Sequence, residues 1–170
     1  MVNTVTTGGT SATHNIAINE DSGYLYRCGG GDNGIRIYNL NNNPAAPQFV
    51  SQYTDRYTHD AQIVTYTSGP YMGQEIAFLC GGFNGGGGQT GLTILDVTNK
   101  SNLVELAHLQ YANGSYSHQG WLTEDRQYFL LNDELDESNQ GVPTSTRVIN
   151  VANLSAPFVA DVYTNNGNSA

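Results

Sequence analysis

Basic residues are scarce in this sequence, and so are charged residues in general. Lys and Arg together number 6 against 15 Asp and Glu, which gives a formal net charge of −9. Nucleic acids and anionic membrane surfaces bind clustered Lys and Arg, so the composition argues against both as partners. No apolar run approaches the ~18 residues of a membrane-spanning segment. The first fifteen residues lack the basic and apolar regions of a secretory signal, so an exported protein would carry its signal outside this sequence.

Cysteine and helical periodicity are equally scarce. Cys28 and Cys80 alone neither staple a small scaffold nor form a metal motif by their spacing. No long window shows the apolar period of a helix, whereas Gly, Asn, Thr, Ser and Tyr are abundant. The sequence therefore predicts an all-β chain whose 170 residues form a single domain, with a composition typical of exported proteins.

One unit is repeated three times along the chain. The first opens "HNIAINEDSGYLYRCGG" and the third "HQGWLTEDRQYFLLNDE", and the separation of His14 from Cys28 equals that of His118 from Asn132. The second opens at His59 and has a longer turn around "TSGPYMG", after which Cys80 matches Cys28. The three repeats are predicted at about 13–57, 58–116 and 117–165.

Each unit reads as four short strands separated by turn residues. The predicted strands are 14–19, 24–29, 34–40 and 48–54 in the first unit, 59–66, 75–81, 91–97 and 103–110 in the second, and 118–123, 127–132, 145–151 and 157–164 in the third. Repeated four-stranded antiparallel units predict the blades of a β-propeller, as part of or assembling into a six- or seven-bladed ring. A β-sandwich is the alternative, but its strands need not share a repeated register.

Several stretches resemble one known family. "GLTILDVTNKSN" at 91–102 resembles the LVIVD repeat, and "HNIAINEDSGYLY", "YTHDAQIV" and "SHQGWLTEDRQYFLLNDELDE" look like successive segments of the choice-of-anchor B family of extracellular bacterial proteins. The resemblance implies an exported β-propeller of no established biochemical activity, often tethered by a variable C-terminal anchor. Members of that family carry more repeats than this chain, and no anchor is present in this sequence.

Three of the four histidines occupy the same place in their units. The first strand of a blade lies innermost, so His14, His59 and His118 are predicted to ring the mouth of the central channel. Converging imidazoles beside the carboxylate of Asp60 suit a borderline divalent ion such as Zn²⁺, Cu²⁺, Ni²⁺ or Fe²⁺. Asp60 would be a ligand or would orient one, and it is predicted to be the acidic residue nearest the histidines.

A structural role is the alternative for these histidines. A histidine that opens an inner strand can bridge its blade to the next by hydrogen bonds, and it then recurs because the blade recurs. His108, in "ELAHLQ", lies outside the pattern and is predicted to be an ordinary surface residue.

The cysteines, the glycine runs, Trp121 and an acidic segment lie outside the histidine pattern. Cys28 and Cys80 are predicted to be buried free thiols rather than a disulfide, and the glycine runs beside them to be turns and bulges. Trp121 is predicted to pack between blades. The acidic segment "NDELDE" is predicted to be a solvated loop, with Ca²⁺ binding as the alternative. Its carboxylates are those of Asp133, Glu134, Asp136 and Glu137.

Two functions remain open from the sequence. The first is an extracellular or cell-surface binding and adhesion module that presents loops to a protein or glycan, with a metal at the channel mouth. The alternative is a metal-dependent hydrolase with its site in the propeller channel. The sequence contains no nucleophile elbow, no HExxH motif and no paired cysteine motif, so no catalytic residue is assigned.

The number of predicted blades also raises the question of assembly. Three blades cover only part of a circle and would leave apolar faces exposed on the first and third. The remedy predicted is a two-fold homodimer in which two three-bladed arcs close a six-bladed ring. The competing account is that the missing blades belong to a longer chain.

Overall fold

The computed structural model describes residues 4–8, 12–30, 34–83 and 90–164 of the chain. It contains three antiparallel sheets that follow one another along the sequence, each with its strands in chain order. Sheet 1 consists of β1 (Asn15–Asn19), β2 (Tyr24–Cys28), β3 (Ile35–Asn39) and β4 (Gln48–Tyr53). Sheet 2 consists of β5 (Asp60–Thr65), β6 (Glu75–Cys80), β8 (Leu92–Asp96) and β9 (Val104–Leu109). Sheet 3 consists of β10 (Tyr116–Leu122), β11 (Tyr128–Asp133), β12 (Ser145–Asn150) and β13 (Phe158–Thr164).

Two further elements extend sheet 3. The two-residue strand β7 (Gly82–Phe83) leaves sheet 2 and pairs with the start of β10. The short helix α1 (Asp136–Gln140) follows β11 and ends at Gly141, which adopts the left-handed conformation common at helix ends. The prediction of an all-β chain of three four-stranded units is confirmed, whereas β7 and α1 were not predicted.

The three sheets share details of register as well as strand order. In each sheet the pairing of the third strand with the fourth is interrupted by a bulge, next to Tyr38, Leu95 and Ile149 respectively. Bulges bend and twist the strand that carries them. Because the same irregularity recurs at the same place, positions can be matched between sheets residue by residue.

The sheets pack face to face around two cores. The first core lies between sheets 1 and 2 and the second between sheets 2 and 3, so sheet 2 is buried on both faces. This explains why β6 is buried along its whole length while β1 and β13 are largely exposed. Cys28 belongs to the first core and Cys80 to the second, and both are free thiols, as predicted.

The first strands of the three sheets are neighbours in space. β5 contacts β1 on one side and β10 on the other, so the start of each sheet lies at a common inner edge. None of the helices in the described part of the chain is long and apolar enough to cross a membrane.

Candidate functional site

The histidines that open the repeats meet at one end of this inner edge. His14 and His59 stand immediately before β1 and β5, and their backbone N–H groups donate to the carbonyls of Cys28 and Cys80, at 3.0 and 2.8 Å. His118 lies inside β10. Since the three inner strands are neighbours, the register that starts each sheet at its histidine also brings the rings together.

The three rings form a stack with His59 in the middle, here called the histidine cluster. The ring centroids of His14 and His59 are 3.9 Å apart, and those of His59 and His118 are 4.7 Å apart. The planes are tilted by 39° and 36°. Tyr116 adds an aromatic wall, with its ring edge-on to His59 at 5.0 Å.

His59 is the buried member of the cluster. Its Nδ1 lies 3.0 Å from the backbone oxygen of His118, and the residue is 5% exposed. A carbonyl oxygen can only accept, so Nδ1 carries the hydrogen and Nε2 keeps its lone pair. Burial lowers the pKa of His59, and the neighbouring His14 and His118 rings lower it further. The ring is therefore held neutral, in the form that ligates metals.

A bulge places His118 in the cluster. In β10, Ser117 pairs with Asp133 and Gln119 with Asn132, which leaves His118 unpaired between them. Such a bulge re-aims a side chain out of the regular alternation. The ring of His118 then lies beside Glu134, whose carboxylate is 3.6 Å from Nε2.

The glycines after the two cysteines make room for the cluster. Gly29 has φ +67°, and a Cβ there would lie 2.6 Å from the Cβ of His14. Gly82 has φ +60°, and a Cβ would lie 2.8 Å from the ring of Tyr57 and 3.3 Å from the Cβ of His59. One glycine of each pair thus leaves room for a cluster histidine, the first glycine after Cys28 and the second after Cys80. The remaining glycines at 31 and 85–88 lie outside the described residues.

Asp60 faces a different neighbour from the one expected. Its carboxylate accepts a hydrogen bond of 2.6 Å from Asn15 Nδ2, so the two residues that follow His14 and His59 bridge sheets 1 and 2. The negative charge of Asp60 still acts on the cluster: it raises the pKa of His59 and so opposes the larger lowering effect of burial. The carboxylate found within ion-pair distance of a cluster ring is that of Glu134 rather than Asp60.

The acidic segment is not the solvated loop that was predicted. Asp133 and Asp136 are 1% and 0% exposed, and both carboxylates lie beside the guanidinium of Arg147. Asp133 also accepts from the backbone N–H of Tyr116, and Asp136 from that of Ser145. Two buried carboxylates are tolerated here because Arg147 supplies the opposing charge. Glu134 is the exposed member of the segment.

Two other single residues depart from simple expectation. Trp121 was predicted to pack between blades but is 66% exposed, on the face of sheet 3 that points away from sheet 2. His108 is partly buried, with Nδ1 2.8 Å from Thr93 Oγ1 on the neighbouring strand. It lies outside the histidine cluster, as predicted.

Three residues of the site were missed from the sequence. Glu134 contacts His118, while Tyr57 and Tyr116 are hydrogen-bonded to each other across sheets 2 and 3. A signal for the tyrosines was present, since "YTH" and "YSH" place each one two residues before a cluster histidine. No comparable signal marks Glu134, because the bulge at His118 creates that contact.

The histidine cluster contains the types of side chain that bind metal ions, but its rings are stacked on one another. His59 Nε2, the His14 ring, the His118 ring and the Glu134 carboxylate are the available ligand types. As placed, no group of three or more His, Cys, Asp or Glu side chains among the described residues converges on one metal position. A shared ion therefore requires the outer rings to turn, and these are the solvent-accessible ones.

Comparison with known proteins adds no assignment to this geometry: the chain matches no family model, and no curated protein matches it.

Proposed function

We propose that the chain is an extracellular binding module built of propeller-type blades, and that its histidine cluster binds one divalent transition-metal ion. The observation that carries the proposal is the contact of three imidazoles from three equivalent positions, with ring centroids 3.9 and 4.7 Å apart. Zn²⁺, Cu²⁺, Ni²⁺ and Fe²⁺ are the ions that imidazole ligands suit.

A purely structural role accounts for only part of the cluster. The bridge from His59 Nδ1 to the carbonyl of His118 ties sheet 2 to sheet 3 and uses one nitrogen of one ring. That same bond fixes the tautomer that leaves Nε2 available, as a backbone carbonyl does for many metal-bound histidines. His14 is exposed and the His118 side chain is 32% exposed, so neither is needed to fill a core.

The ion would also relieve the crowding of the cluster. A metal ion accepts lone pairs from several imidazole nitrogens at once, so it would give the three neighbouring rings a common partner. Rotation of His14 and His118 about their side-chain torsions would turn the stack into a converging set with His59 fixed. Glu134 would supply a carboxylate ligand or hold His118 in place.

Composition and resemblance support the wider proposal. Few charged residues, an all-β chain of repeated four-stranded sheets and the similarity to choice-of-anchor B segments fit an exported module rather than an intracellular enzyme. Its partner would be a protein or glycan that contacts the loops, with the metal at the centre of the surface.

Metal titration of the metal-free protein tests the proposal. We expect calorimetry with Zn²⁺ or Ni²⁺ to show one ion per chain, and the double variant His14→Ala, His118→Ala to bind at least about tenfold more weakly. This variant keeps His59 and truncates only accessible rings, so circular dichroism should show an unchanged fold.

His108→Ala is the matched control, because it removes a histidine that lies outside the cluster. It should bind metal as the wild type does. Wild-type protein that binds no better than the double variant, or loss of binding in His108→Ala alone, would refute the metal site.

A further inference from the structure

His118 enters the histidine cluster differently from His14 and His59. The pairings of β1 with β2 and of β5 with β6 are regular, and His14 and His59 stand directly before the first paired residue. His118 lies inside β10, in the bulge between Ser117 and Gln119. A bulge disrupts the ladder locally, so strand pairing alone does not fix the direction of the His118 ring. Other contacts must hold this stretch of backbone.

Ser117, the residue before the bulge, is held by two hydrogen bonds that do not belong to the strand ladder. Its Oγ accepts from the backbone N–H of Gly91 at 2.7 Å and lies 2.6 Å from the hydroxyl of Tyr111. Gly91 directly precedes β8, and Tyr111 follows β9. The two bonds therefore tie the start of β10 to segments that flank sheet 2.

Asp133 holds the same stretch from the neighbouring strand. One of its carboxylate oxygens accepts from the backbone N–H of Tyr116 at 2.7 Å and from that of Ser115 at 3.3 Å. The other oxygen accepts from the guanidinium of Arg147, which also donates to the backbone carbonyl of Asn113 at 3.1 Å. The segment that leads into the bulge is thus fastened by side chains along its length.

Tyr111 and Arg147 connect these contacts into one network. The guanidinium carbon of Arg147 lies 4.3 Å from the centroid of the Tyr111 ring, whose hydroxyl bonds to Ser117. Ser117, Asp133 and Arg147 are buried, and hydrogen bonds that share partners in a buried site reinforce one another. This set is here called the bulge network and consists of Tyr111, Ser117, Asp133 and Arg147.

The third repeat departs from the other two at the position of Asp133. Gly29 and Gly81 follow the matched cysteines of the first two repeats, whereas Asp133 follows Asn132. The first two repeats thus combine a glycine at this position with a regular ladder at the histidine. The third combines a buried carboxylate with a bulged histidine.

The backbone of His118 controls two of the three rings. It carries the His118 side chain, and its carbonyl oxygen lies 3.0 Å from Nδ1 of His59. That bond fixes the tautomer of His59 that leaves Nε2 available for a metal ion. A shift of the bulge would therefore turn the His118 ring and loosen the bond that holds His59.

We propose that the bulge network positions the histidine cluster for metal binding by fixing the backbone at His118. This inference rests on the metal site proposed above and adds the residues that set its geometry. They act through the strand and not as ligands, since Ser117 and Asp133 bond to backbone groups next to His118. Partners of this kind orient metal ligands, and their loss typically weakens metal binding by about tenfold or more.

Cu²⁺ loading of two variants tests the inference. Tyr111→Phe removes one hydroxyl and keeps the ring against Arg147, whereas Ser117→Ala removes the hydroxyl that joins Tyr111 to Gly91. We expect calorimetry to show about tenfold weaker Cu²⁺ binding in each variant. Electron paramagnetic resonance of the loaded variants should show altered copper hyperfine values, because the ring nitrogens are then placed differently about the ion.

Ile37→Val is the control for a general loss of stability. Ile37 is fully buried in the first core, on β3 of sheet 1, and shortening it leaves a small cavity outside the bulge network. The change should lower the urea midpoint of unfolding and leave the Cu²⁺ affinity and the resonance spectrum as in the wild type. Circular dichroism checks that each variant is folded.

The outcomes distinguish this inference from the metal site itself. Wild-type protein that binds no Cu²⁺ would overturn both. Wild-type protein that binds Cu²⁺, with affinity and spectrum retained in Tyr111→Phe, would overturn the positioning role and leave the metal site intact. The same spectral change in Ile37→Val would also overturn that role, because any loosening of the fold would then move the rings. If Ser117→Ala does not fold, Tyr111→Phe alone decides.

Discussion

The first core and the second core bury equivalent strand positions but are closed by different chemistry. In the second, Phe78 of sheet 2 stacks on Phe129 of sheet 3, with centroids 5.3 Å apart and planes 12° from parallel. In the first, the match of Phe78 is Tyr26, and the match of Phe129 is Ala77. Where the second core has two stacked phenyl rings, the first has a single phenol against a methyl group.

The hydroxyl of Tyr26 dictates what surrounds it. It donates to Glu75, which also accepts from Ser22 Oγ at 3.0 Å and from Lys100 Nζ at 2.8 Å. Glu75 is 5% exposed, and the ammonium of Lys100 lies 4.5 Å from the centroid of the Tyr24 ring. One added oxygen thus recruits a buried carboxylate and the chain's only lysine. The comparison teaches that one repeated backbone interface accepts either an aromatic pair or a polar network whose buried groups are hydrogen-bonded to one another.

Truncation of Phe129 should have the largest effect on stability. Phe129→Ala removes half of the aromatic stack at a fully buried site, and we expect a loss of about 3–5 kcal/mol in the free energy of unfolding. Urea denaturation followed by circular dichroism measures it. Val104→Ala, at a position 45% exposed on β9, should change stability by less than about 0.5 kcal/mol. Equal losses in the two variants would mean that the second core does not depend on the stack.

Neutralising Glu75 should rank second. Glu75→Gln keeps the shape of the side chain but removes the negative charge that accepts from Tyr26 and forms an ion pair with the Lys100 ammonium, and we expect a loss of about 1.5–3 kcal/mol. Thermal or urea unfolding measures it, with Glu124→Gln as the control at an exposed position. A Glu75→Gln protein as stable as the Glu124→Gln protein would show that the ion pair adds nothing to the first core.

The smallest effect should come from Glu105 at the outer edge of the first core. Burial raises the pKa of Glu105, but hydrogen bonds from Arg56 and Tyr53 outweigh it, so that the pKa lies below its usual value of 4.5. A lowered pKa in the folded state means that ionised Glu105 stabilises the fold above that value and that this contribution disappears as the pH falls through the lowered pKa.

A comparison of wild type with Glu105→Gln across acidic pH measures this contribution. The Arg56 and Glu105 side chains are 27% and 30% exposed, so water screens their interaction. The wild type should therefore be more stable than Glu105→Gln by less than about 1 kcal/mol near neutral pH, and this difference should vanish in acid. If the difference in stability between the two proteins grew as the pH falls, the pKa of Glu105 would not be lowered in the folded state.

Much of the fold follows from alternation and turn chemistry. Every predicted strand is present with bounds within two residues of those expected, because apolar alternation and Gly, Asn and Pro turns mark each strand locally. β7 is only two residues long, so it shows no alternation of apolar and polar residues from which it could be predicted. α1 depends on a tertiary contact, since Asp136 in its first turn accepts the backbone N–H of Ser145 and lies beside Arg147.

The site was predictable in outline and not in detail. Repetition alone places three histidines at equivalent positions, but the bulge that aims His118 at the cluster and brings Glu134 beside it arises from pairing. The acidic segment was misjudged although a signal existed. Arg147, Ile149 and Val151 are each two residues apart, so a strand places their side chains on the same, buried face. A buried cation on that face requires nearby carboxylates.

The placement of the two cysteines has a practical consequence. Cys28 is sealed in the first core and Cys80 in the second, and burial raises the pKa of both thiols, so neither reacts while its core stays closed. Thiol labelling followed by peptide mass spectrometry therefore times the opening of each core separately, with native residues as the probes. Because the two cores lie on opposite faces of sheet 2, the ratio of the two labelling rates tells from which end the array of sheets unravels.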